Sequence, residues 1–267
     1  MAYIEHKKGD VIKDSVEILS YKEGGLGRVY FGYCKIRETR VAIKTIKRDI
    51  WEMCNLEKIW PLIREALISE KLPFRSIDQG EYLYHIFFRE AKLICQAMGH
   101  INVIKGYNIW WTEFGQPFFE CEFVSNSRDL SYFHRDVYKN TNLGFLSCLQ
   151  VAHIAVSFCN GMIYISNEMI KAYNLNHKEN TALGFVHRDI KPGNILITRD
   201  NIIKIIDLGL AKYILAQTPT TLSSFHISLG TPNYMSPEHK INFDAVLPSS
   251  DIYSFGVAMY ELLEAFL

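Results

Sequence analysis

Residues 185–196 constrain this chain more than any other stretch. Between apolar flanks, Phe185-Val186 and Ile195-Leu196, they place a carboxylate, a lysine and an amide within one turn, at Asp189, Lys191 and Asn194. A turn of that kind can hold three polar side chains over a single reacting centre, where positioning does most of the chemical work. Thirteen residues beyond Asn194 stands a second carboxylate, Asp207, at the end of the strand-like run 202–206.

The chain has 267 residues, enough for a sizeable core in one large or two small domains. Its 29 basic and 29 acidic residues cancel, so no global field favours nucleic acid or an anionic membrane. The six cysteines are scattered without a Cys-x-x-Cys pair, which argues against a disulfide framework or a zinc site and for a reducing, intracellular setting, cytoplasmic or nuclear. The N-terminus lacks the apolar stretch of a signal peptide. The apolar C-terminal segment 252–267 is interrupted by Glu261 and Glu264 and is too short to span a bilayer, so no membrane insertion is expected.

Residues 11–19 and 29–34 read as strands joined by a turn rich in glycine at Gly24, Gly25 and Gly27, where backbone amides can approach a phosphate. Next, Arg40 to Ile46 alternates as a strand, with Val41 and Ile43 on one face and Ala42 and Lys44 on the other. Residues 50–72 have helical periodicity, and residues 82–98 repeat it with Phe87, Ala91, Ile94 and Met98 on one buried face. Strands are expected at 108–113 and 117–124 around a turn at Gly115-Gln116. Ser125 to Asp129 reads as a polar linker and marks a domain boundary. A long apolar core helix at 143–169, an exposed loop at 174–183 and a Ser/Thr-rich segment at 218–228 follow. A final helix begins after Ser249-Ser250-Asp251, residues suited to N-capping.

In this order the motifs resemble the protein kinase family from about Val11 to the end of the chain. Val41-Ala42-Ile43-Lys44, His187-Arg188-Asp189 with Lys191 and Asn194, Asp207-Leu208-Gly209 and Ser236-Pro237-Glu238 all stand in family order. The resemblance implies an α+β, bilobal fold. Residues 1–124 would form a small β-rich lobe with one key helix and an insertion at about 49–81. Residues 125–267 would form a larger, mostly helical lobe lacking the family's last helices.

It further implies phosphoryl transfer from ATP with Mg²⁺. Gly24, Gly25 and Gly27 would cover the phosphates; Lys44, held by Glu90, would pair with them; Asn194 and Asp207 would hold Mg²⁺. Asp189 would orient the substrate hydroxyl and accept its proton, with Lys191 at the γ-phosphate. Val29, Ala42 and Leu196 would sandwich the adenine, Glu122 to Val124 would read its edge, and Cys121 would gate the pocket behind it. Lys191 and Thr231 resemble serine/threonine kinases, so the partner would be a protein carrying Ser or Thr. Arg188 beside Asp189 suggests an activation segment phosphorylated by an upstream kinase, with Thr220, Thr221, Ser223, Ser224 and Ser228 as candidates.

The sequence departs from the pattern in places. Lys22 replaces the first loop glycine, and leucine stands in the metal motif as an apolar plug beneath Asp207. The stretches from Lys44 to Glu90 and from Met162 to Val186 are long and read as surface insertions. Glu65 and Glu70 compete with Glu90, which is preferred because His100-Ile101-Asn102 follows at the usual distance. Without later helices, Phe255, Val257 and Leu262 would face water and Glu238 would lack a countercharge. The alternative reading is therefore a nucleotide-binding scaffold with weak or no catalysis.

Overall fold

The computed structural model describes residues 3–13, 15–24, 27–53, 79–133, 146–178, 181–216, 230–242 and 246–264. The chain divides into two compact units, Met1–Cys95 with Lys105–Phe123, and Gln96–Ile104 with Val124–Leu267.

The first unit is built on a six-stranded antiparallel sheet in the order β1-β2-β3-β4-β6-β5. Its strands are β1 (Val11–Ile12), β2 (Val16–Glu23), β3 (Gly27–Cys34), β4 (Thr39–Ile46), β5 (Gly106–Trp111) and β6 (Pro117–Glu122). Alternate branched and aromatic residues bury one face, with Val16, Ile18, Tyr30, Val41, Ile43 and Phe118 forming a single cluster. The expected continuous strand over 11–19 is broken. Lys13 takes φ +52° and Ser15 N–H closes a turn onto Ile12 O at 3.2 Å, so β1 and β2 form their own hairpin. The β5–β6 turn stands where Gly115-Gln116 suggested, with Gly115 at φ +85°.

Two helices complete this unit, α1 (Arg48–Met53) and α2 (Gln79–Gln96). Phe87, Ala91 and Ile94 of α2 are buried as their spacing predicts. Met98 is exposed instead, because the helix has ended and Gly99 turns the chain at φ +121°. Helix α1 covers residues 50–53 of the helical reading at 50–72; the rest of it and most of the expected insertion, with Glu65 and Glu70, lie outside the described residues.

In the second unit, β7 (Ser127–Asp129), β9 (Ile195–Thr198) and β10 (Ile203–Ile205) make a three-stranded sheet. A two-stranded ribbon pairs β8 (Ala182–Val186) with β11 (Lys212–Leu215). The polar stretch read as a linker thus contributes strand β7, whose Asp129 pairs with Leu196.

Helix α3 (Cys148–Asn176) starts on a capping box formed by Ser147 and Gln150. It buries Val151, Ile154, Phe158, Ile165 and Met169. A Cβ at its Gly161 would lie 2.9 Å from Ile205 Cδ1, so glycine lets the helix approach β10. This helix is long and apolar enough to cross a membrane; its capping box and buried stripe are equally those of a core helix.

The loop expected at 174–183 is exposed at residues 175–178, as read, but it begins inside a helix and ends inside a strand. The helix runs to Asn176, and Asn174 holds Ala182 in β8 by accepting from its N–H at 2.6 Å. Ile165, Met169 and Ala182 are buried, so the supposed surface insertion contributes to the core.

Short α4 (Pro237–Ile241) and α5 (Pro248–Glu264) complete the second unit. Leu262 is buried, Val257 is half-buried, and Phe255 stacks on Phe158 with ring centroids 4.6 Å apart. The expectation that these three face water is corrected. The large apolar side chains that α5 does expose are Ile252, Tyr253, Tyr260 and Leu263.

Candidate phosphotransfer site

Within the first unit, β4 carries Lys44 and α2 carries Glu90. Lys44 Nζ lies 2.6 Å from both Glu90 carboxylate oxygens. The Glu90 side chain is 6% exposed, so this carboxylate is the partner of a buried pair and not a solvated surface charge.

The arms of the glycine hairpin pair through Glu23 and Arg28, and Gly24 N–H donates to Gly27 O at 2.8 Å. A Cβ on Gly27 would meet Thr45 O at 2.7 Å and the Lys44 stem at 3.5 Å, so the hairpin is seated on β4 beside the lysine. Gly25 lies outside the described residues. Val29 pairs with Lys44, and Ala42 pairs with Cys121.

Glu122 ends β6, where its carboxylate accepts from Lys105 N–H at 3.0 Å. Cys121 is buried, and burial pushes its thiol up to about 12. Val124 opens the second unit and accepts from the Ser127 hydroxyl at 2.7 Å.

In the second unit the turn 187–194 converges on one carboxylate. Asp189 Oδ2 accepts from Lys191 Nζ at 2.7 Å and from Asn194 Nδ2 at 2.9 Å. The Thr231 hydroxyl lies 3.4 Å from Asp189 Oδ1 and accepts from Lys191 Nζ at 2.9 Å. Gly230 delivers Thr231 at φ +93°, where a Cβ would stand 2.8 Å from Met235 Cε. Leu196 sits half-buried on β9, and Ile206 N–H donates to Asn194 O at 3.2 Å, which ties the turn to the strand entering Asp207.

Asp207 accepts from Gly209 N–H at 2.8 Å, and Leu208 is 1% exposed, as expected of an apolar plug. Asp207 and Asn194 offer a carboxylate and an amide oxygen, both hard donors. The Asn194 nitrogen is committed to Asp189, which leaves the oxygen as the end that a cation would take. No cluster of three or more His, Cys, Asp or Glu side chains that could hold a metal occurs among the described residues. Oxygen donors of this type are those Mg²⁺ would take, with waters and substrate phosphates as its further ligands.

Asp251 is the support of this turn that the sequence did not announce. It was expected to cap α5; it lies inside that helix, and its two oxygens accept from His187 N–H at 2.6 Å and Arg188 N–H at 2.9 Å. Those bonds hold Arg188 at φ +68°, a conformation costly for a residue with a side chain. Burial raises the Asp251 carboxyl above its ordinary value, against the opposing pull of His187 and Arg188. The only sequence signal was a carboxylate near the start of the helix, four residues ahead of the apolar run that begins at Phe255. Arg188 is itself buried and donates to Leu210 O. Glu238, expected to lack a countercharge, takes hydroxyl hydrogen bonds from Ser250 and Ser236, which hold its carboxyl below the ordinary range.

These features define a protein of the kinase class, with a lysine–glutamate pair on its sheet and an Asp-x-Lys-x-x-Asn turn in its helical unit. The chain belongs to the protein kinase domain family, whose family model matches residues 71–266. Three bacterial relatives illustrate the similarity. A probable serine/threonine-protein kinase of Clostridium acetobutylicum is 41% identical over 103 residues, 39% of this chain and 14% of that protein. Serine/threonine-protein kinase PknB of Mycobacterium leprae is 28% identical over 183 residues, covering 67% and 25%. Serine/threonine-protein kinase PknA of Mycobacterium tuberculosis is 49% identical over 80 residues, covering 30% and 18%. The matches therefore span a quarter or less of these relatives' own lengths. Lys44 and the glycine hairpin precede the matched residues.

Proposed function

We propose that this chain is a serine/threonine protein kinase, transferring the γ-phosphate of ATP to a protein hydroxyl. In this reading residues 1–124 and 125–267 act as the two lobes of a bilobal kinase. Val29 and Ala42 of the first unit pack on the adenine and the backbone at Glu122 reads its edge; Val124 and Leu196 are what the second unit would add. Gly24, Gly25 and Gly27 cover the phosphates, which Lys44, oriented by Glu90, pairs with. Asp207 and Asn194 hold Mg²⁺, which when bound neutralises phosphate oxygens. Asp189 orients the incoming hydroxyl and takes its proton as the oxygen bonds to phosphorus and ADP departs, while Lys191 neutralises the transferring group.

The observation that carries the reading is the convergence of Lys191, Asn194 and Thr231 on Asp189. Lys191 and Thr231 support serine or threonine over tyrosine, as do the printed names of the relatives. Nothing in this polar set favours the scaffold alternative. Activation by an upstream kinase belongs to the same proposal and rests on buried Arg188; the candidate segment lies outside the described residues. An intracellular setting is supported by the need for ATP and by the free thiols of Cys34, Cys95, Cys121, Cys148 and Cys159.

The test is incubation with Mg²⁺, labelled ATP and mixed peptide acceptors. Transfer to Ser/Thr peptides, absent from Asp207→Ala and from tyrosine-only peptides, is the expected outcome. No transfer by wild type, or transfer to tyrosine, counts against the proposal.

A further inference from the structure

Residues 3–10 lie across the sheet of the first unit as a strap with a fixed register. Gln116 in the β5–β6 turn is fully buried, and its amide acts as a surrogate strand edge. It accepts from Ile4 N–H at 2.7 Å and donates to Ile4 O at 3.0 Å. The strap has further anchors on either side of that clamp. The Tyr3 hydroxyl donates to Ile46 O at 2.8 Å, and His6 N–H donates to the buried Tyr30 hydroxyl at 3.1 Å.

Between these anchors Glu5 projects onto the second arm of the glycine hairpin, where it pairs with Arg28; Arg48 of α1 reaches its other oxygen at 3.3 Å. Arg28 also pairs with Glu23 across the hairpin and lies over the Tyr21 ring, 4.8 Å from its centroid. Its side chain is only 12% exposed, so two carboxylates and a ring fix a nearly buried guanidinium. Arg28 adjoins Gly27, the residue seated against Thr45 O and the Lys44 stem. One continuous set of contacts therefore runs from the strap through Arg28 to the hairpin.

We propose that Glu5 and Arg28 are positioning residues that hold the glycine hairpin over the nucleotide phosphates, with residues 3–10 as the strap that carries Glu5. The inference rests on the hairpin's role in the kinase reading. It places a determinant of ATP affinity outside the groups that touch the nucleotide.

The test uses the full chain and the variants Glu5→Gln, Arg28→Met and Arg28→Lys. Glu5→Gln and Arg28→Met raise KM for Mg-ATP about two- to fivefold, the scale of a partly exposed ion-pair network, with kcat kept within about twofold. Arg28→Lys falls between wild type and Arg28→Met, since it keeps the charge and loses the fork. A merely structural role gives the opposite split, with kcat lowered in step with the folded fraction and KM unchanged, and overturns the proposal.

Hydrogen–deuterium exchange of residues 20–24 and 27–31 is the independent arm. Exchange speeds up there in Glu5→Gln and Arg28→Met while α2 keeps its protection; unchanged hairpin exchange overturns the proposal. A wild-type chain that binds no Mg-ATP contradicts the kinase reading, and the exchange arm then decides the strap alone.

Discussion

Lys44 and Glu90, 46 residues apart in sequence, meet with the lysine nitrogen 2.6 Å from both carboxylate oxygens. The pair fixes helix α2 against strand β4. Glu90→Gln keeps the volume and removes the charge. It is expected to lower kcat/KM for ATP by about tenfold to a hundredfold, below the scale of a fully desolvated pair because Lys44 is partly exposed. Steady-state phosphate transfer checks this, and an unchanged kcat/KM removes Glu90 from the site.

Thr231 ties Lys191 to Asp189 through one hydroxyl. Thr231→Ala should reduce kcat about tenfold with little change in KM for ATP, the scale of a lost hydrogen bond to a charged group. Thr231→Ser, which keeps the hydroxyl, should recover most of the loss. Equal loss in both variants would mean that the methyl group, and not the hydroxyl, matters.

Asp251 holds two backbone amides of the turn, so Asp251→Asn sets an NH₂ against an N–H donor. The variant should lose about 2–4 kcal/mol of stability. The pH dependence has a defined sign. The folded carboxyl titrates above its ordinary value of 3.8, so between that value and the raised one the folded state binds the proton more tightly than the unfolded chain. The Asp251 contribution is therefore fully present below 3.8 and is lost as pH rises through the raised value. Denaturant unfolding of wild type and Asp251→Asn across mildly acidic pH should show the difference between them shrinking as pH rises. A difference that grows with pH contradicts the assignment.

Cys121 is buried with its thiol pushed up to about 12, whereas Cys148 and Cys159 are exposed. Since thiolate is the reactive form, iodoacetamide at pH 8 should label Cys148 and Cys159 and leave Cys121 intact until the chain unfolds. Mass spectrometry of the alkylated peptides reads this directly. Early labelling of Cys121 would mean that its surroundings open to solvent.

Much of this arrangement was legible in the sequence because its signals are local. Asp189, Lys191 and Asn194 share one turn, and the alternation of Val41 and Ile43 orients β4. Glu90 was legible only by its spacing to His100, since nothing local distinguishes a buried carboxylate from a surface one. What escaped depended on contacts distant in sequence. Asp251 looks like a helix cap until His187 and Arg188 are seen to use both its oxygens. Asn174 reads as loop until Ala182 is found bonded to it. In the same way, Phe255 seems exposed until Phe158 stacks on it. The break at Lys13 was missed because nothing in the apolar pattern of residues 11–19 requires a positive φ there.

In the kinase reading Asp189 does chemistry and is not needed to bind nucleotide. The direct measurement compares wild type with Asp189→Asn for Mg-ATP affinity and for phosphate transfer to a Ser/Thr peptide under single-turnover conditions. Affinity should stay within about twofold and transfer should fall by about a hundredfold to ten-thousandfold, the span of a lost general base. Transfer kept near the wild-type rate, or lost only in proportion to nucleotide affinity, would contradict it.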